Sequence, residues 1–286
     1  MRFIGRYVST LFMLLTMLLA SSAMVSAANA PLPDSVRFLT ADAAILINAS
    51  TGEVLFEKNA DQRMYPASMT KMMTCILALE SGRLDTTVTI SDTAADVECT
   101  RVVPGYQVRM GDLVQQMMMI SDNGAALAVG ETLGGNADGF AQMMNAKARA
   151  LGAGHTHFVN ANGMPDSNHY STARDMARIA AYGMKNAKFR QIVGTQQKNI
   201  YWIRPAGHKE YCVNSNELLG SYDGCTGIKT GWTRSAGGCL AASAKRDGTE
   251  LLVVVMHAAD DDTRFTDAAA LLDYGFSYFK NGSAKS

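Results

Sequence analysis

Apolar positions after residue 40 fall into β-like runs at both ends of the chain and helical stretches between them. Residues 44–48 (AILIN) and 54–56 flank Ser50-Thr51-Gly52, a turn sequence, and predict a β-hairpin. Residues 69–79 (MTKMMTCILAL) are helix formers, apolar nearly all round and stopped by Ser81-Gly82. Such a helix belongs in the centre of a core.

From 84 to about 154 the pattern is mostly helical, with segments at 112–120, 125–133 and 138–151, each ended by glycine or a polar turn. This stretch is expected to form a helical subdomain. Thr172-Ala173-Arg174-Asp175 has the form of a helix-capping start, with a helix to about 184, and 199–203 (NIYWI) returns to β character. Residues 238–244 and 250–257 (ELLVVVMH) predict a second hairpin whose 251–255 run is buried; a helix over 263–279 closes the chain. The order predicts an α/β fold of the α+β kind, a mainly antiparallel sheet flanked by helices.

With 286 residues and 48% hydrophobic content, the chain can bury a real core, which excludes disordered and fibrous classes. Residues 1–27 have the form of an export signal: Arg2 and Arg6, an apolar run over 11–20, then small residues ending Val25-Ser26-Ala27. Cleavage is expected after Ala27, leaving 28–286 as the mature domain outside the cytoplasmic membrane. The alternative is an uncleaved anchor, since 8–28 carries no charge and is long enough to span a bilayer. Beyond Ala27 there remain 24 basic and 26 acidic side chains, no footprint for nucleic acid.

The five cysteines, an odd number, leave at least one thiol free. Cys75 and Cys239 lie in apolar runs and are expected to be buried; Cys212 and Cys225 flank one short segment and are the candidate disulfide pair. The methionines, such as Met72-Met73 and Met117-Met118-Met119, read as core filling. His155-Thr156-His157 has no accompanying ligand spacing, so neither a metal nor another cofactor is expected.

Three short motifs carry the chemistry: Ser68-Met69-Thr70-Lys71, Ser121-Asp122-Asn123 and Lys229-Thr230-Gly231. In that order they match the trio of penicillin-binding proteins and class A β-lactamases. Singly each is weak: average composition gives roughly one Ser-x-x-Lys by chance in such a chain, and a second stands at Ser277-Tyr278-Phe279-Lys280. Ser68 at a helix start faces Lys71 three residues on, and burial lowers a lysine's pKa until it can act as a base; Lys229 is a candidate second cause. Ser121 can relay a proton and the Asn123 amide can bind a substrate carbonyl. Lys229, Thr230 and Gly231 would line a strand edge suited to a peptide carboxylate. The backbone N–H groups of Ser68 and Trp232 are the candidate oxyanion hole, with the Trp232 ring walling the cleft.

These residues resemble the peptidoglycan D-alanyl-D-alanine carboxypeptidases, the low-molecular-mass penicillin-binding proteins. The similarity extends through Asn59-Ala60-Asp61 leading to Pro66-Ala67-Ser68, Phe158-Val159-Asn160 through Gly163-Met164, His169 to Met176 and Gly227-Ile228-Lys229-Thr230-Gly231, covering about 35–280. It implies a penicillin-binding protein/β-lactamase-like fold, an acyl-enzyme on Ser68, Lys71 as proton acceptor, assistance from Ser121 and substrate binding by Lys229. Peptidoglycan stem peptides would be the substrates and β-lactam antibiotics the inhibitors.

Two departures stand out: Ser215 occupies a position where some relatives carry a basic residue, and Thr226 one where an acidic residue often stands. Carboxylate anchoring would then rest more on Lys229 and Thr230. A β-lactamase would need a deacylating glutamate downstream of the Ser-x-Asn motif, and none lies between Glu131 and Glu210. A DD-endopeptidase or transpeptidase would use the same serine. A non-catalytic wall-binding module would keep the fold without the chemistry, and intact Ser68, Lys71, Ser121 and Lys229 argue against it.

Overall fold

The computed structural model of the chain describes residues 32–283. The expected export signal, 1–27, lies outside the described residues. A one-turn helix, α1 (Asp34–Arg37), is the one element described before the main unit, 38–286.

The β-prone runs at the two ends of that unit build a single antiparallel sheet. Its strands are β1 (Ala43–Asn48), β2 (Val54–Lys58), β7 (Cys225–Thr233), β8 (Gly237–Arg246) and β9 (Thr249–Ala258), in the order β2-β1-β9-β8-β7. The run Leu251 to Met256 is fully buried because both faces are covered. With side chains alternating, Leu252, Val254 and Met256 enter the main core with Ile45 and Ile47. Leu251 and Leu46 point the other way, where their side chains approach Gly275 of the last helix, α9 (Thr263–Ser283). Asp247 and Gly248, both at positive φ (47° and 81°), close the β8–β9 hairpin in two residues.

Between the hairpins lie α2 (Lys71–Glu80), α3 (Asp92–Ala95), α4 (Met110–Ile120), α5 (Asn123–Gly134), α6 (Ala137–Ala150), α7 (Ala173–Gly183) and α8 (Ala187–Val193). Helix α2, buried from Lys71 to Ala78, packs against α4, α5 and α7 and is the axis of the core. Thr172 caps α7 by accepting from the Asp175 N–H at 3.1 Å, as the motif predicts. Two ribbons outside the main sheet, β3 (Thr87–Thr89) with β4 (Gln107–Arg109) and β5 (Gln197–Tyr201) with β6 (Lys209–Val213), complete the unit.

All five cysteines are free thiols, so the candidate Cys212–Cys225 disulfide does not form. Cys212 is buried on β6 of the small ribbon, whereas Cys225 opens β7 of the main sheet with its Sγ directed at the Gly227 carbonyl. Cys75 and Cys239 are buried as expected. Among the described residues no helix is long and apolar enough to cross a membrane.

Candidate functional site

Pro66 and Ala67 break the approach to α2, and Ala67 takes φ +47°, a conformation costly for a residue with a side chain. The following 3₁₀ turn, Ala67–Thr70, runs directly into α2 and sets Ser68 and Lys71 on one side. Lys71 is fully buried, and its Nζ lies 2.7 Å from Ser68 Oγ, 2.8 Å from Asn123 Oδ1 and 2.7 Å from the Asn162 carbonyl. Burial lowers its pKa to about 7, against the opposing pull of the Asp122 carboxylate. At that value the neutral amine is abundant. Its two N–H bonds match Asn123 and Asn162, and its lone pair is left for the Ser68 hydroxyl.

Helix α4 ends at Ser121, which caps it in the left-handed conformation at φ +62°. The adjacent Asp122 starts α5: its carboxylate accepts from the Ala125 and Arg101 N–H groups, the Thr100 hydroxyl and the Gln116 amide, all at 2.7–3.0 Å. Asp122 therefore fixes the turn, while Ser121 and Asn123 line the cleft. Asn123 Nδ2 donates one N–H to the Glu98 carbonyl at 2.8 Å and Oδ1 accepts from Lys71, which leaves the second amide N–H, 3.5 Å from Met164 Sδ, to meet a guest in the cleft.

The opposite wall is the loop 158–171, stapled to α2. Thr74 Oγ1 donates to the Ala161 carbonyl at 2.7 Å, and Thr70 Oγ1 lies 2.8 Å from His169 Nε2. His169 Nδ1 accepts from the Val159 N–H, which leaves the proton of a neutral ring on Nε2, facing Thr70. Burial holds this histidine down at about 4. Gly163 has φ +88°, and a Cβ there would stand 1.9 Å from the Ala67 carbonyl oxygen.

Strand β7 forms the third side and is an edge of the sheet. A Cβ at Gly231 would come within 3.1 Å of the Ser68 backbone nitrogen, so the glycine lets the strand approach Ser68. Lys229 is buried and bonds the Thr230 carbonyl (3.0 Å) and Oγ1 (3.3 Å). Burial, then the cations Lys71 and Arg264, push its pKa well down. Burial is the largest cause for both lysines, and each cation disfavours the charge on the other. Trp232 is 55% exposed at the rim.

The three motifs thus meet in one cleft of about 570 Å³. Ser277 and Lys280, the second copy of the first motif, are both exposed on α9. The same spacing is separated from the first by burial. Sequence reasoning missed Asn162, Gly163, His169 as a partner of Thr70, and Arg264, whose guanidinium is held by Asp261 and the Gly231 carbonyl. Of these, Asn162, Gly163 and His169 lay in segments that carry the family resemblance, and Arg264 did not. Ser215 lies 2.6 Å from Thr230 Oγ1, and Thr226 bonds Ser243 at 2.6 Å. His157 Nδ1 lies 2.6 Å from the Asn168 carbonyl, and the His155 N–H donates to Asp175.

Comparison with solved structures gives the fold class first. The Streptomyces K15 DD-transpeptidase superposes with a TM-score of 0.81 at 30% identity, over 87% of this chain and all of that one. The D-alanyl-D-alanine carboxypeptidase DacD of Francisella tularensis follows at 0.76, 31% identity, over 84% and 71% of the two chains. The fold is therefore that of the penicillin-binding DD-peptidases.

At the level of sequence, residues 26–260 match the peptidase S11 family model, D-alanyl-D-alanine carboxypeptidase. DacF of Bacillus subtilis, a D-alanyl-D-alanine carboxypeptidase, is 34% identical over 247 residues, 84% of this chain and 63% of DacF. DacB2 of Mycobacterium tuberculosis is 32% identical over 88% of this chain and 86% of its own length. The chain belongs to the D-alanyl-D-alanine carboxypeptidase family. It spans less than two thirds of DacF and most of DacB2.

Proposed function

We propose that the chain is a serine-type D-Ala-D-Ala carboxypeptidase that removes the terminal D-alanine from peptidoglycan stem peptides and is acylated by β-lactams at the same serine. The observation that carries this reading is the buried Lys71 amine, 2.7 Å from Ser68 Oγ, with its other polar contacts satisfied by carbonyl oxygens. Neutral Lys71 takes the Ser68 proton as Oγ bonds to the substrate carbonyl carbon. The oxyanion forms against the N–H groups of Ser68 and Trp232. The C–N bond then breaks, and the proton returns through Ser121 to the departing D-alanine amine. Water, deprotonated by the same lysine, releases the acyl group and restores Ser68.

Lys229 and Thr230 receive the terminal carboxylate beside Gly231, and Asn123 holds Lys71 in register. A carboxylate guest also favours the charged form of Lys229, since it offsets the cost of burial. The carboxylates lining the cleft are Glu98, exposed at the rim, and Asp261, paired with Arg264. Between Glu131 and Glu210, downstream of the Ser-x-Asn motif, the chain has no glutamate to activate a deacylating water as a β-lactamase does, which supports a long-lived penicilloyl adduct. Such substrates lie outside the cytoplasmic membrane, in keeping with export by residues 1–27.

The likeness to the Streptomyces K15 DD-transpeptidase favours a second reading, in which an amine rather than water accepts the acyl group. Incubating the chain from Ala28 with a D-Ala-D-Ala peptide, alone and with an added amine acceptor, separates the readings by product mass: transfer to water gives the shortened peptide acid, and transfer to the amine gives its amide. Free D-alanine released from the peptide, and lost in Ser68→Ala, is the expected result. Release that persists in Ser68→Ala overturns the mechanism.

A further inference from the structure

The segment Asn214-Ser215-Asn216 crosses between the two halves of the cleft. The Ser215 N–H donates to the Met119 carbonyl at 2.9 Å, one of the last carbonyls of α4 and two residues before Ser121. Its Oγ lies 2.6 Å from Thr230 Oγ1 on β7. One residue therefore ties the helix bearing Ser121 to the strand bearing Lys229 and Thr230. Its own placement is set from both sides. Asn214 accepts from the Asn216 N–H at 2.9 Å and donates to the Thr195 carbonyl at 3.0 Å, and Asn216 accepts from the Leu218 N–H at 3.2 Å.

Hydrogen-bond direction then decides what Thr230 presents. A threonine oxygen has one proton and two lone pairs. Lys229 Nζ donates to Thr230 Oγ1 at 3.3 Å, filling one lone pair. If Ser215 donates as well, both are filled, and the Thr230 proton must take the remaining direction, into the cleft that Thr230 lines. If Thr230 donates to Ser215 instead, it shows the cleft a lone pair, which a carboxylate repels.

We propose that Ser215 is a positioning residue for carboxylate recognition: by donating to Thr230 it turns the Thr230 hydroxyl proton towards the guest's carboxylate. This rests on the reading that the cleft takes guests with a free carboxylate. A serine hydroxyl adds no charge, so what Ser215 contributes to the preference for an acid, beside the Lys229 amine, is the direction of one proton. The Met119 bond keeps this relay at a fixed distance from Ser121.

The test compares the rates at which benzylpenicillin and its methyl ester acylate Ser68, in the wild type and in Ser215→Ala, Ser215→Cys and Ser215→Thr. Losing an oriented hydrogen bond to a charged group costs on the order of ten-fold in rate. The acid-to-ester preference is therefore expected to fall about ten-fold in Ser215→Ala and in Ser215→Cys, whose near-isosteric thiol is a poor donor. It is expected to survive in Ser215→Thr, which keeps the hydroxyl. Equal falls for acid and ester, or an unchanged preference in both Ala and Cys variants, overturn the proposal. Because this readout needs no peptide cleavage, it is separate from D-alanine release, which tests the carboxypeptidase reading itself.

Discussion

Raising the pH through neutrality is the direct test of Lys71. An ordinary lysine, with a pKa near 10.5, is neutral in only about one molecule in three thousand at pH 7. Burial brings Lys71 to about 7, so about half of the molecules then hold the free amine, a gain of about a thousand-fold. The rate of acylation should rise about ten-fold per pH unit below 7 and level off above it. At pH 5 it should stand near one hundredth of the plateau. As Lys71 loses its charge it ceases to repel Lys229, which then keeps its own proton more readily. Stopped-flow labelling with a fluorescent penicillin from about pH 5 to 9 measures the profile. Lys71→Arg, which cannot give up its proton, should label at no pH. A flat profile, or a rise that continues through pH 9 without levelling, would refute the assignment of Lys71 as base.

Ser121→Gly separates strain from chemistry: glycine suits the φ of +62° and should raise stability by about 1 kcal/mol in chemical denaturation. The same variant should acylate about a hundred-fold more slowly for want of the hydroxyl. His169, native pKa about 4 against 6.5 unfolded, refuses a proton that the unfolded chain accepts. Its share of stability is whole above pH 6.5 and is lost as pH falls towards 4, about 2 kcal/mol by pH 5. Denaturation midpoints should show this loss in the wild type and a smaller one in His169→Gln. Thiol titration with Ellman's reagent should find Cys99 reactive in the native protein and Cys75, Cys212 and Cys239 only after unfolding. Fewer than five thiols in denaturant without reductant would show an unforeseen pair.

Much of the sheet and the helical middle was legible because period and punctuation agreed. The 44–48 and 54–56 runs became β1 and β2, and α2, α4, α5, α6 and α7 fell within a few residues of their expected bounds. The strand pair β5–β6 was read only in part, because β6 exposes Tyr211 and Val213 and offers no apolar alternation. The β8–β9 turn was placed loosely although Asp247-Gly248 is itself a two-residue hairpin signal. In the site, Ser68 and Lys71 were legible because helical spacing makes them neighbours. Asn162 was not, since it acts through a carbonyl, which any residue carries. Nor was the bond between Ser215 and Thr230, which depends on the meeting of a loop and a strand fifteen positions apart.

Gly163 and Gly231 stand on either side of the Ser68 turn, each with backbone oxygen or nitrogen where a side chain would begin. Gly163 is closed to variation by clearance alone, and at Gly231 any side chain would push the Ser68 turn by a few tenths of an ångström. Trp232, Arg234, Glu98 and Cys99, by contrast, line the cleft from exposed positions. A lineage carrying this site can therefore change its choice of guest at the rim while inheriting the floor unaltered.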